Sequence, residues 1–213
     1  MKSINMNKNI KLFNDDCMNI MSKYDDKYFD LAIVDPPYGL GTRTTDGGSK
    51  KNTQTKFMES LKKKQWDNSI PDDNYFKELK RVSKNQIVWG GNYFPLSKYR
   101  HFIVWDKMTY IPTMSRVELA YTSFDKPAVY IEINSNQKDR IHPTQKPVDL
   151  YSWLLHNYAE KGQKILDTHL GSGSIAVAAH YFGVDLVGVE IDEEYYNKAK
   201  ERVDELTKQT TMF

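Results

Sequence analysis

The sequence predicts an α/β fold, and two stretches predict it. Lys164-Ile165-Leu166-Asp167 reads as a short buried strand, Leu170-Gly171-Ser172-Gly173 as a glycine-bearing turn, and the Ala-rich segment through His180 as a helix. Leu186-Val187-Gly188-Val189 follows as a second strand closed by Glu190. Strand, turn, helix and strand in this order make a parallel unit. The second stretch, Leu31-Ala32-Ile33-Val34, is another buried-strand run, and it stops at Asp35-Pro36-Pro37-Tyr38, since paired prolines continue neither a ladder nor a helix. Asp35 and Tyr38 therefore belong to a strand's C-terminal edge, where open α/β sheets place their chemistry.

The remaining elements follow from periodicity. Ile10 to Asn14 alternates as a strand, and Asp15 and Asp16 have capping chemistry for the segment Met18 to Met21. Tyr75, Phe76, Leu79 and Val82 recur at helical spacing after Pro71-Asp72. Gln86 to Trp89 is a strand ending in Gly90-Gly91, a turn or a place of close backbone approach. His101 to Trp105 is a further strand, and Val117 to Phe124 with Val129 to Ile133 are expected to form an antiparallel pair at the sheet's end. Thr144 is placed to cap a helix carrying Leu150, Trp153, Leu154, Leu155 and Tyr158, with Pro147 in its first turn. Tyr195, Tyr196, Ala199, Val203 and Leu206 mark a surface helix.

Length and composition set bounds on function. The 213 residues are read as one domain, 1–213, with a flexible basic insertion at about 39–68. No run of eighteen apolar residues occurs and the N-terminus has no apolar signal core, so neither a membrane span nor a secretory signal is expected. A lone cysteine, Cys17, excludes an intrachain disulfide and any zinc site built on Cys pairs; a reducing, cytoplasmic setting and no metal are expected. The net charge of +2 says little about partners. Its distribution says more: residues 40–66 hold seven basic side chains against two acidic ones, and this stretch begins at the Asp35 edge. Arg43, Lys50, Lys51, Lys62, Lys63 and Lys64 are therefore candidate contacts to a nucleic-acid backbone.

An acceptor at Asp35, a carbonyl locked in place at Pro36 and a flat π-face at Tyr38 suit a planar ring bearing an exocyclic amino group. At these residues the chain resembles the amino-group DNA methyltransferases, whose hallmark is the tetrapeptide Asp/Asn/Ser-Pro-Pro-Tyr/Phe/Trp. The resemblance implies that Asp35, Pro36, Pro37 and Tyr38 hold a flipped-out base while its amino nitrogen attacks the methyl of S-adenosylmethionine. It favours adenine N6, because Asp in first position goes mostly with adenine and Ser mostly with cytosine. Cytosine N4, an RNA or protein amide, and a catalytically silent binding subunit stay open as alternatives.

The C-terminal half suits that cofactor. Glu190 lies seventeen residues after Gly173, near the spacing at which an acidic side chain meets a ribose. A dinucleotide is the alternative, but the third glycine of its fingerprint is replaced by Ala176, and a carboxylate at Asp167 would repel a pyrophosphate while pairing with an ammonium. Asp167, Glu190 and Asp16 match the ammonium, ribose and adenine of S-adenosylmethionine. His142-Pro143-Thr144-Gln145-Lys146-Pro147 closely resembles a motif of one permuted, beta-class group of these enzymes, in which it helps to hold the methionine end. The family usually has Asp-Pro-Phe where this chain has Asp167-Thr168-His169, which leaves the turn's shape open. The resemblance thus gives Asp16, Cys17, His142, Thr144, Lys146, Asp167, Leu170, Gly171, Ser172, Gly173, Glu190 and Ile191 as cofactor-binding residues. The tetrapeptide precedes the glycine turn, and this permuted order implies a Rossmann-like, mostly parallel sheet with an antiparallel edge hairpin. The two motif-bearing strands are expected to be neighbours. DNA is the implied partner, and a homodimer is compatible with the resemblance.

Overall fold

The computed structural model describes residues 3–7, 9–40, 70–96, 100–110, 115–137, 140–142 and 144–208. Arg43, Lys50, Lys51, Lys62, Lys63 and Lys64, and with them most of the basic insertion, lie outside the described residues, as does Pro143.

Among the described residues, the strands are β1 (Ser3–Asn7), β2 (Ile10–Asn14), β3 (Phe29–Val34), β4 (Ser83–Trp89), β5 (Phe102–Asp106), β6 (Val117–Thr122), β7 (Val129–Glu132), β8 (Lys164–Asp167) and β9 (Asp185–Glu190). The helices are α1 (Cys17–Met21), α2 (Asp73–Val82), α3 (Val148–Tyr158), α4 (Ser174–Phe182) and α5 (Glu193–Lys208). All nine strands join one sheet in the order β1-β2-β9-β8-β3-β4-β6-β5-β7. The middle five, β2, β9, β8, β3 and β4, are parallel. From its centre the chain steps outward from β3 to β4 on one side and from β8 to β9 on the other, so the crevice between β3 and β8 is the topological switch point. Their register, Leu31 opposite Ile165 and Ala32 opposite Leu166, makes the tetrapeptide strand and the glycine-turn strand neighbours, as the motif order implied.

Alternation along β3 explains the layering. Leu31 and Ile33 join a core cluster with Leu150, Leu154, Ile175 and Val203 from α3, α4 and α5, whereas Ala32 and Val34 join Ile20, Tyr75, Phe76 and Leu79 from α1 and α2. A strand covered on both faces must be apolar throughout, and each large side chain so buried contributes about 1.5–3 kcal/mol. Capping is local. Asp16 accepts from the Met18 amide at 2.7 Å at the start of α1, and Asp72 accepts from Tyr75 at the start of α2.

Two expectations are corrected. Val117–Phe124 and Val129–Ile133 are not partners: β5 lies between β6 and β7, antiparallel to the first and parallel to the second. Ile103 and Trp105 of β5 are buried and need a neighbour on either side, while β7, with Tyr130 57% exposed, takes the edge. An antiparallel hairpin, β1 with β2, lies at the opposite edge. Thr144 does not cap α3. The helix starts at Val148 behind an extended Pro147 (φ −64°, ψ 147°), out of Thr144's reach, and the Thr144 hydroxyl instead sits 3.2 Å from His142 Nδ1.

Candidate active site

The prolines that stop β3 turn Asp35 and Tyr38 back toward each other, and the Tyr38 hydroxyl donates to Asp35 Oδ1 at 2.5 Å. Asp35 Oδ2 accepts from Lys146 Nζ, also at 2.5 Å. Lys146 is buried and reaches Glu118 Oε2 at 3.1 Å, and Glu118 Oε1 is 2.8 Å from Lys107 Nζ. Two carboxylates and two ammoniums thus alternate into the site. Burial works to raise the Asp35 carboxyl above its usual range against the pull of Lys146. Burial also opposes the charge on Glu118, but Lys146 and Lys107 outweigh it and hold that carboxyl low.

The Tyr38 ring stacks on Tyr93, with centroids 5.0 Å apart and planes at 18°. Gly90 makes this possible. It has a positive φ of 66°, and a Cβ there would fall on the Tyr38 ring, as one at Gly91 would fall on Tyr121. The glycine pair after β4 is therefore both the tight turn and the close approach that its residue type allowed.

A cavity of about 270 Å³ adjoins the tetrapeptide through Pro37. Asp16 and Cys17 form one wall, Glu190 and Ile191 another, and Thr168 and His169 a third. Glu190, at the end of β9, accepts from the amides of Gly171 (2.9 Å) and Asp192 (3.0 Å), which orients it while burial raises its pKa. Burial also pushes the Cys17 thiol up to about 12 and the His169 imidazole down to about 4, so both are neutral near pH 7. Thr168 shares hydrogen bonds with Tyr75 (2.6 Å) and His169 (2.9 Å). Asp167 is buried behind this wall, accepts the His169 amide at 3.0 Å and makes no ion pair among the described residues. Burial raises its pKa to about 8. Near pH 7 that leaves it largely protonated, so it can pair with an incoming ammonium only by giving up that proton.

A sequence pattern describing DNA methylases matches residues 86–201, just over half of the chain. The chain belongs to this DNA methylase family. The type II methyltransferase M2.MboI of Moraxella bovis is 25% identical to it, over 94% of this chain and 89% of that protein. Two solved structures share the fold. The cytosine-N4-specific PvuII DNA methyltransferase has a TM-score of 0.60 at 10% identity, covering 94% of this chain and 92% of that one. The M1.HpyAVI-SAM complex has a TM-score of 0.57 at 16% identity, covering 91% and 98%.

Within the methylase, Asp16, Cys17, Glu190 and Ile191 meet around the cavity, and Pro37 connects it to the tetrapeptide. Gly171 and His142 lie against each other, and the His142 ring packs edge-on to Tyr195 at 4.4 Å, so the His142 string crosses the glycine turn. Other expected residues do not line the cavity. Leu170 is in the core, Gly173 packs on Ala199 and Val203 of α5, and Ser172 is buried with its carbonyl bonded to Arg202. Thr144 bonds to His142 and Lys146 pairs with Asp35. Sequence reasoning missed Glu118, Lys107 and Tyr93 at the tetrapeptide and Tyr75 at the cavity. The available signal was Glu118, a carboxylate within the apolar β6 run Val117-Glu118-Leu119-Ala120.

Proposed function

We propose that this methylase transfers a methyl group from S-adenosylmethionine to the exocyclic N6 amino group of an adenine flipped out of DNA. The observation that carries the reading is Asp35, a carboxylate fixed at the end of β3 by Tyr38 and Lys146 beside a cavity that Pro37 and Glu190 share. Each carboxylate oxygen keeps a lone pair beyond the hydrogen bond it already accepts. Asp35 and the Pro36 carbonyl can therefore accept the two amine hydrogens and draw the nitrogen lone pair out of conjugation with the ring. Tyr38 supplies the stacking face, worth about 1–3 kcal/mol for a base on an aromatic ring. Extrusion is needed because the amine is out of reach within a stacked duplex.

In this reading Asp167 pairs with the donor's ammonium, Glu190 accepts from its ribose hydroxyls and Asp16 from its adenine amine. S-adenosylmethionine supplies an electrophilic sulfonium methyl when bound. The residues of this chain orient the two reactants, and positioning is a large source of acceleration in such transfers. Arg43, Lys50, Lys51 and the run Lys62 to Lys64 contact phosphates, which anchor DNA without reading its sequence.

Cytosine N4 is the second reading, favoured by the likeness of fold to an enzyme of that specificity. Incubation with S-adenosylmethionine and duplex DNA, then nucleoside mass spectrometry, separates the two. N6-methyldeoxyadenosine is expected, and N4-methyldeoxycytidine alone would replace the first reading with the second.

A further inference from the structure

We propose that Lys146 is the positioning residue of the tetrapeptide, an ammonium shared between Asp35 and Glu118 that sets the Asp35 carboxylate, with Glu118 dividing its charge. The inference rests on the reading of Asp35 as the acceptor of the target amine.

Donor arithmetic separates this role from a hold on the cofactor. A lysine ammonium has three N–H donors. One is donated to Asp35 at 2.5 Å, while Glu118 Oε2, 3.1 Å away, is held as an ion pair without a hydrogen bond. A second is donated to Tyr38 Oη at 3.5 Å, the remaining polar neighbour among the described residues. The side chain is only 4% exposed, and the Trp89 ring forms an apolar wall 5.3 Å from Nζ. Among the described residues, every polar contact of this ammonium thus lies in the tetrapeptide or on Glu118. Glu118 is in turn gripped by Lys107 at 2.8 Å, so it neither swings away nor takes Lys146 entirely.

The arrangement makes two opposite electrical predictions at one atom. Lys146 favours the ionised form of Asp35, and Glu118, a like charge, disfavours it. The other groups bearing on Asp35 among the described residues are the Tyr38 hydroxyl, Asp167 of β8, Tyr75 of α2 and Tyr151 of α3. Lys146 also favours the ionised form of Asp167, and Glu118 also bears on Tyr38 and Tyr151, which is why cofactor affinity is read beside the rate. Arg140 and Lys107 bear on Glu118. Removing the Lys146 charge should move the acid limb of methyl transfer to higher pH, and neutralising Glu118 should move it to lower pH.

The test is the single-turnover rate of methyl transfer to duplex DNA against pH, with S-adenosylmethionine affinity measured alongside, for the full chain and its Lys146→Met, Lys146→Arg and Glu118→Gln variants. Lys146→Met is expected to raise the acid limb by about one pH unit or more, a tenfold loss per unit on its acid side. Glu118→Gln is expected to lower the limb, Lys146→Arg to keep it near the wild-type position, and cofactor affinity to stay within about threefold throughout, under 1 kcal/mol. An unmoved limb in Glu118→Gln overturns the proposal even if Lys146→Met does not fold. Loss of cofactor affinity in Lys146→Met with an unmoved limb also overturns it, and returns the lysine to the methionine end. Turnover by Asp35→Ala would instead strike the underlying reading of the tetrapeptide.

Discussion

Tyr38 lies on Tyr93 with ring centroids 5.0 Å apart and planes 18° from parallel. Tyr93 follows the Gly90 turn, and its amide donates to the Gly90 carbonyl at 2.8 Å, so the Tyr38 ring, the proposed stacking face for a target base, is itself braced by the loop after β4.

Such a stack contributes about 0.5–1.5 kcal/mol beyond burial. Tyr93→Ala should therefore lower kcat/KM by up to about tenfold, while Tyr93→Phe, which keeps the ring, should stay near wild type. Steady-state kinetics on duplex DNA checks this, and an unimpaired alanine variant would show that Tyr38 needs no brace.

The Asp167 carboxyl, held at about 8 by burial, must lose its proton to meet an ammonium. S-adenosylmethionine affinity should rise with pH on the acid side of about 8, by at most about tenfold per unit, with proton release on binding. Asp167→Asn should bind weakly and without this slope. The sign for stability follows from the same shift: a carboxyl whose pKa is higher folded than unfolded stabilises most below the unfolded value of 3.8 and loses that contribution as pH rises to about 8. Calorimetry in two buffers of different ionisation enthalpy and thermal melts against pH read both effects. A flat affinity profile would remove Asp167 from the ammonium.

Neutralising Lys62, Lys63 and Lys64 together should weaken binding to every DNA sequence alike and flatten its salt dependence, since each lost phosphate contact removes about 0.9 from the log–log slope. Titrations of wild type and triple variant at several salt concentrations test this. An unchanged slope would make the lysines a solvated face, and a sequence-confined loss would make them base readers.

What the sequence revealed of this methylase is what local punctuation encodes. The prolines after Val34 and the glycines after Leu170 fix where β3 and β8 end, and their register delivers Asp35 and Asp167 to adjacent strand ends. Glu190 was legible for the same reason, as the acidic close of an apolar strand. Strand neighbours are not local information. Alternation marks β5, β6 and β7 as strands but says nothing of β5 standing between the other two. The pairing of Lys146 with Asp35 joins residues 111 positions apart, and Glu118 reaches them only because β6 docks beside β4. Thr144 had capping chemistry, but the extended Pro147 set the start of α3.

The most direct test of the account is methyl transfer by Asp35→Ala under single-turnover conditions, with S-adenosylmethionine binding measured on the same protein. Cofactor affinity within about threefold of wild type, under 1 kcal/mol, with transfer to adenine lower by about two or more orders of magnitude, some 2.7 kcal/mol of lost transition-state stabilisation, is the predicted result. Transfer at the wild-type rate would contradict it.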